Sequence, residues 1–306
     1  MFIRVLGSAA GGGFPQWNCG CPNCVGVRRG SIRALARTQE SVAVSADGES
    51  WFLLNASPEV RAQLESFPKL HPRTLRDTPL QGIVLTNGDL DHCLGLLSLR
   101  ESQPLALYST ERILRGFSEG NVLYRTLQRF EGQAAWKLLE LGAEEQPLRL
   151  LHGAESGLTL RAFAAPGKPA LHLDQSTAQA GDNFGVVIRD LKRGKSLAYI
   201  SAVAASSAAV VEAASVADAV FLDGTFWSSD ELIALGASKS RAEDMAHWPI
   251  SGPSGSLRFL SELRGKRRIY IHINNSNPML REDSPERAAV DAAGVEVAFD
   301  GMELEL

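Results

Sequence analysis

The chain has no long apolar run. Its longest are strand-sized, about 5–7 residues, against the ~20 needed to cross a bilayer, which excludes a membrane-spanning helix. It has no excess of basic charge. A net charge of −4 leaves no broad basic surface for nucleic acid or an anionic membrane. The opening M-F-I-R-V-L-G has an apolar stretch too short for a secretory signal, so a cytoplasmic location is expected. No low-complexity linker divides the 306 residues. With 44% hydrophobic residues there is ample material for a core, and one domain over 1–306 is expected. Histidine and cysteine are scarce, at six and four residues. Three cysteines crowd together at Cys19, Cys21 and Cys24, which is no disulfide framework for a reducing compartment.

What is present reads as alternating β and α structure. Strands are expected over 1–6, 41–45 and 51–54, the last two joined by a turn at Asp47-Gly48. Ser57-Pro58-Glu59 looks like a helix start, with Val60 and Leu64 on one face. Further strands are expected over 82–85, 104–108, 158–163, 219–222, 268–273 and 295–299, and a hairpin from 184–188 to 197–200. Helices are expected over 94–99, 110–117, 204–216 and 254–263, with another starting at Ser284-Pro285-Glu286. The stretch 118–180 is the least legible. Polar clusters follow strands near residues 87, 223 and 272, which fits a two-sheet layered α/β sandwich with its ligands on one edge.

W-N-C-G-C-P-N-C contains C-x-C-x-x-C in a loop composition. A turn with that spacing lets three thiolates meet on one ion, so Cys19, Cys21 and Cys24 are expected to hold a structural Zn2+. The fourth ligand must come from elsewhere: His247, Asn275 or another residue.

The run I-V-L-T-N-G-D-L-D-H puts Asp89, Asp91 and His92 directly after a buried strand. One Asp could cap a helix. Two carboxylates this close repel unless a cation lies between them, which favours metal binding. His272 ends the strand R-R-I-Y-I-H-I and is expected to join as a ligand. Asp223, in V-F-L-D-G-T, is either a turn residue or part of the site, and His247, in D-M-A-H-W-P, either a helix end or part of the site. His71, His152 and His172 lie in loops and are expected at the surface.

These features resemble the metallo-β-lactamase superfamily, whose H-x-H-x-D-H signature appears here as N-x-D-x-D-H from Asn87 to His92. The strings G-S-A-A-G-G-G-F-P-Q-W-N-C-G-C-P-N-C, N-A-S-P-E-V-R, G-L-L-S-L-R-E and I-H-I-N-N-S-N-P are similar to the B-protein family of pyrroloquinoline quinone (PQQ) biosynthesis, over nearly the whole chain. The resemblance implies an αββα four-layer sandwich of two mixed β-sheets. It implies a role in making PQQ from a Glu- and Tyr-containing peptide, either as an iron- and O2-dependent tyrosine hydroxylase or as a carrier of PQQ or its precursor to the periplasm. A metal-dependent hydrolase is the third reading. The leading histidines of the signature are replaced by Asn87 and Asp89, and Ala202 stands where the superfamily often carries a metal-bridging Asp. Asp91, His92 and His272 remain, the two-histidine, one-carboxylate composition of mononuclear Fe2+ oxygenases. Asp89 and Asp223 are expected as further ligands or as supports, and His247 as the acid–base group. The expected partner is the tyrosine-bearing precursor. Other PQQ biosynthesis proteins and self-association stay open.

Overall fold

The computed structural model describes residues 1–173 and 178–306. The first sheet is built from β1 (Phe2–Gly7), β2 (Ser41–Ser45), β3 (Trp51–Leu54), β4 (Leu80–Val84), β5 (Leu105–Ser109) and β6 (Ala134–Leu138). The second holds β7 (Gln146–Arg149), β8 (Glu155–Ala164), β9 (Phe184–Asp190), β10 (Lys195–Ile200), β11 (Ala219–Asp223), β12 (Arg267–Ile271) and β13 (Glu296–Val297). β14 (Glu303–Glu305) returns to the first sheet and pairs antiparallel with β1. The strand orders are β14-β1-β2-β3-β4-β5-β6 and β13-β12-β11-β10-β9-β8-β7.

Each sheet changes character halfway. β1 to β3 pair antiparallel, then β3 to β6 run parallel. β7 to β10 pair antiparallel, then β10 to β13 run parallel. The two halves of the chain therefore repeat one plan, two seven-stranded mixed sheets, as the two-sheet sandwich expected from sequence requires.

The sheets pack on each other through one apolar cluster that includes Ile3, Val5, Leu53, Ile83, Phe221 and Ile271. Side chains alternate along β11: Ala219 and Phe221 face that core, while Val220 and Leu222 join a second cluster with Val210 and Ala213 of the helix Ala208–Val216. A strand covered on both faces must be apolar at successive positions, which is why A-V-F-L shows no alternation.

Some expected elements shift. The helix expected over 204–216 begins only at Ala208, because Ser207 caps it and the Ala204 N–H bonds to Pro166 O instead. The helix expected at 94–99 is a 3-10 helix, Leu94–Leu99, after the single α-turn Leu90–Cys93. Ser57 does not cap a helix: its Oγ accepts the Glu59 N–H, and the helix is Val60–Glu65. β6 and β7 fall in the stretch whose sequence showed no clear pattern.

Candidate metal centre

Three parallel strands deliver the chemistry at their carboxyl ends. β4 leads into Asn87–Cys93, β11 ends in Asp223, and β12 is followed at once by His272. Asp89 occupies the position before the helix Leu90–Cys93 but makes no side-chain cap hydrogen bond. Capping therefore does not explain the carboxylates of this knot.

Asp91, His92 and His272 are brought together, with their ligand atoms within 4.8 Å of one another. His92 Nε2 lies 3.1 Å from His272 Nε2. Asp91 Oδ2 lies 3.1 Å from His272 Nε2 and 3.6 Å from His92 Nε2. Two imidazole nitrogens and a carboxylate oxygen converging on one point fit a divalent cation in donor type and number.

The electrostatics agree. Burial works against the charge on Asp91, but the imidazoles of His92 and His272 hold its carboxyl well below the usual carboxylate range. Burial pushes His92 down to about 4. Burial also disfavours charge on His272, yet Asp223 and Asp91 outweigh it and lift His272 to about 10. Without a metal, the positive charge that this pair of carboxylates demands rests on His272.

Asp223, His247 and His272 form a second group of the same compactness. Here the carboxylate is already saturated. Asp223 Oδ1 accepts the Thr225 N–H at 3.0 Å and the Thr225 hydroxyl at 2.5 Å. Its Oδ2 accepts the Val203 N–H at 3.0 Å and faces His247 Nδ1 at 2.7 Å. A carboxylate only accepts, so the contact with Asp223 puts a proton on His247 Nδ1 and leaves Nε2 turned to the other side of the ring. Thr225 Oγ1 also lies 2.8 Å from His272 Nδ1.

Asp89 is in neither group. Its Oδ1 accepts the Leu171 N–H at 3.2 Å, and its own N–H goes to Asn87 Oδ1 at 2.9 Å. Asn87 Nδ2 points to Asn183 Oδ1 at 3.4 Å. Both side chains, with Ala202, still line the 920 Å³ cavity that opens onto Asp91, His92, His247 and His272. His172 is exposed, as expected of a loop residue, but stands at the rim of this cavity. His71 is half-exposed and His152 exposed. Cys93 is buried, its thiol donating to Gly88 O at 3.3 Å, and burial pushes its pKa up.

Backbone strain concentrates here. Of the four non-glycine residues with positive φ among the described residues, three are at the site: Asn55, Ala246 just before His247, and His272 itself.

The cysteine loop builds a separate centre. Cys19, Cys21 and Cys24 lie within 4.8 Å of one another. Cys21 caps the helix Pro22–Arg29, its sulfur accepting the Cys24 N–H. The amide of Asn275 reaches all three sulfurs, at 3.2, 3.6 and 3.3 Å. Amide nitrogen and oxygen can be exchanged, so the oxygen can take the fourth position of a tetrahedral set. Of the two fourth ligands named from sequence, Asn275 lies against the three sulfurs and His247 lies in the group with Asp223 and His272. Asn23 Nδ2 clamps the backbone carbonyls of Asn275 and Asn277 at 3.1 and 3.0 Å. The cysteine loop thereby braces the segment that follows His272.

Sequence reasoning passed over Asn55, Thr225 and Glu40. Asn55 follows the apolar strand W-F-L-L as His272 follows R-R-I-Y-I, and that parallel is the signal which marks it.

Residues 50–273 match the family described as "Beta-lactamase superfamily domain". The chain is 44% identical over 308 residues to coenzyme PQQ synthesis protein B of Stutzerimonas stutzeri, covering all of both chains. It is 46% identical over 318 residues to that of Azoarcus sp. (strain BH72), again in full. The chain belongs to the coenzyme PQQ synthesis protein B family. Membership in this B-protein family carries participation in PQQ biosynthesis. Among solved structures it is similar to the Zn2+-bound PqqB from Methylobacterium extorquens, with a TM-score of 0.91, 40% identity and full coverage of both chains. A diphosphatase of the PhnP family shares only the fold with the B protein, at 20% identity and a TM-score of 0.66 over all of this chain and 97% of that one. Among the described residues, no helix is long and apolar enough to cross a membrane.

Proposed function

We propose that this protein is a metal-dependent hydroxylase of PQQ biosynthesis, adding oxygen to the tyrosine ring of a Glu-Tyr-type precursor. The observation that carries the reading is the compact ligand set Asp91, His92 and His272, set against a second group, Asp223, His247 and His272, whose carboxylate is already filled by hydrogen bonds, and against neighbouring positions that lack the ligands of a partner metal. Asn87 and Asp89 stand where two leading histidines would bind a partner metal, and Ala202 offers no bridging carboxylate. A two-metal hydrolase needs both. Two histidines and one carboxylate leave positions free, as mononuclear Fe2+ oxygenases require.

Asp91, His92 and His272 would hold Fe2+, which would supply the redox chemistry for activating O2. In the overall reaction one oxygen atom would enter the ring C–H bond and the other would leave as water, with two electrons from an external reductant and two protons from solvent. The chain's own groups do the rest. Asp223 holds the proton on His247 Nδ1, so His247 Nε2 accepts the phenolic proton of the substrate. Phe226 packs edge-on to His247 at 5.7 Å between ring centres and forms, with Met245 and Leu171, an apolar wall for an aromatic ring. Lys168 lines the same cavity and offers positive charge to a substrate carboxylate. Cys19, Cys21 and Cys24, with Asn275 beside them, would hold Zn2+ and so support the loop beside the site.

The test mixes iron-loaded protein, reductant, O2 and a Glu-Tyr-type substrate. A product heavier by one oxygen atom, labelled by ¹⁸O2, is expected. Absence of product, together with a His92→Ala chain that complements the pathway like wild type, sinks the enzyme reading. Retention of precursor without turnover points to a carrier, and two metals per active site to a hydrolase.

A further inference from the structure

Behind His92, on the side away from the cavity, lies a buried polar cluster that the reaction above does not use. Glu40, just before β2, is fully buried. Its Oε1 has no hydrogen-bond partner among the described residues. Its Oε2 accepts from Asn55 Nδ2 at 2.9 Å and lies 3.5 Å from His92 Nδ1.

The orientation of Asn55 is settled by Thr86. A backbone N–H can only donate, and that of Thr86 goes to Asn55 Oδ1 at 2.9 Å, with the Thr86 hydroxyl adding a second bond at 3.1 Å. Nδ2 must therefore face the other way. There it meets Glu40 Oε2, His92 Nδ1 at 2.7 Å, the Tyr199 hydroxyl at 3.2 Å and the Ser201 hydroxyl at 3.3 Å. It has two hydrogens for four neighbours.

A neutral imidazole carries one ring proton. A cation on His92 Nε2 takes the lone pair there and leaves the proton on Nδ1. That N–H would then face the Asn55 N–H, donor against donor. Relief needs an acceptor alongside, and the carboxylate of Glu40 is the one in reach, a small ring rotation away. A carboxylate behind a metal-bound imidazole fixes its tautomer and raises its basicity as a ligand. A fully buried carboxylate with an empty oxygen is otherwise a large desolvation cost with little return.

We propose that Glu40 is a positioning residue for the metal centre: it accepts the Nδ1–H of His92 and so presents Nε2 to the ion. The proposal rests on the reading of Asp91, His92 and His272 as that centre. Asn55 is then the group that changes partner, donating to His92 without the ion and to the Tyr199 and Ser201 hydroxyls with it.

The experiment titrates the full chain with Co2+ against a chelator of known affinity. The thiolate charge-transfer band reports the cysteine centre, and the ligand-field bands report the His/Asp centre. Glu40→Gln, nearly isosteric, is expected to weaken the His/Asp centre ~10–100-fold and leave the cysteine centre unchanged. Wild-type affinity in Glu40→Gln overturns the proposal. Should that chain fail to fold, ¹⁵N-histidine NMR of the Zn2+-loaded wild type decides. A proton on His92 Nδ1 in a strong hydrogen bond supports the proposal, and one on Nε2 overturns it. A wild-type chain that binds no ion at the His/Asp centre removes the metal reading itself, and Glu40's role with it.

Discussion

His92 and His272, 180 positions apart, meet Nε2 to Nε2 at 3.1 Å, with their rings stacked 30° from parallel and 4.9 Å between centres. Two buried imidazoles in this arrangement can share one proton or one cation, and Asp91 Oδ2 at 3.1 Å from His272 Nε2 selects for positive charge between them.

Removing a ligand should therefore empty one centre and spare the other. His92→Ala is expected to lower metal affinity at the His/Asp centre by more than ~100-fold, beyond the ~10–100-fold range of supporting groups. Metal analysis after dialysis should find the ion at the cysteine centre retained. Loss of both ions would mean that the two centres are not independent.

The cysteine centre has an internal order of reactivity. Burial pushes Cys24 up to about 12, while hydrogen bonds from Cys21 and Asn275 overcome burial at Cys19 and lower it. Thiolates are the reactive form, so in folded protein stripped of metal Cys19 should be alkylated first and Cys24 last. At pH 8 a thiol of pKa about 12 is ionised to only ~10⁻⁴. Peptide mass spectrometry over a time course reads the order, and equal rates contradict it. With Zn2+ bound, all three thiols should be protected.

His247→Gln should remove proton transfer and leave the metal in place. A loss of ~10²–10⁴-fold in kcat is expected, the range for a single acid–base group. An equal loss of metal would reassign His247 as a ligand. Asp223→Asn should fail differently: its amide oxygen can still accept on one side, but its NH2 would meet the donors on the other side, Val203 N–H or Thr225 N–H, head-on, costing about 1–3 kcal/mol for the groups left unpaired. Urea unfolding separates the two.

Stability should carry one pH-dependent step from Glu231. Burial pushes its carboxyl up to about 7, against the opposing bonds from Ser276 and the Trp227 N–H, with Glu286 adding repulsion. A raised carboxyl means that the folded state binds the proton more tightly than the unfolded one. Stability therefore falls as pH rises from about 4.5 to about 7, then levels, by a contribution on the order of 3 kcal/mol. Glu231→Gln should flatten that segment of the stability–pH curve, since its amide can serve both Ser276 and the Trp227 N–H. A curve unchanged in slope would show that Glu231 is not its source.

Most of the strands were legible because burial imposes a rule on composition. β3, β10 and β11 are apolar at successive positions, and β9 and β10 close over a basic turn as a hairpin. β6 and β7 were not legible. They stand at or near sheet edges and are only partly buried, so few of their side chains are constrained. The chemistry-bearing residues were marked by position: a carboxylate or histidine directly after an apolar strand has been placed at the sheet's edge by the strand itself. That holds for Asp91, His92, Asp223 and His272.

Residue type and spacing alone determined that three thiols gather on one turn, and the resemblance to the superfamily implied that its leading histidines are replaced here by Asn87 and Asp89. Only the tertiary structure decided what each group does, because function here depends on which lone pair is still free. Asp223 and Asp89 look equally available in the sequence. Folded, the four acceptor directions of Asp223 are filled by Thr225, Val203 and His247, and Asp89 accepts the Leu171 N–H, leaving Asp91 as the carboxylate that faces both histidines. Asn275 reaches the thiols and Glu40 reaches the back of His92 across gaps of sequence that no local pattern spans.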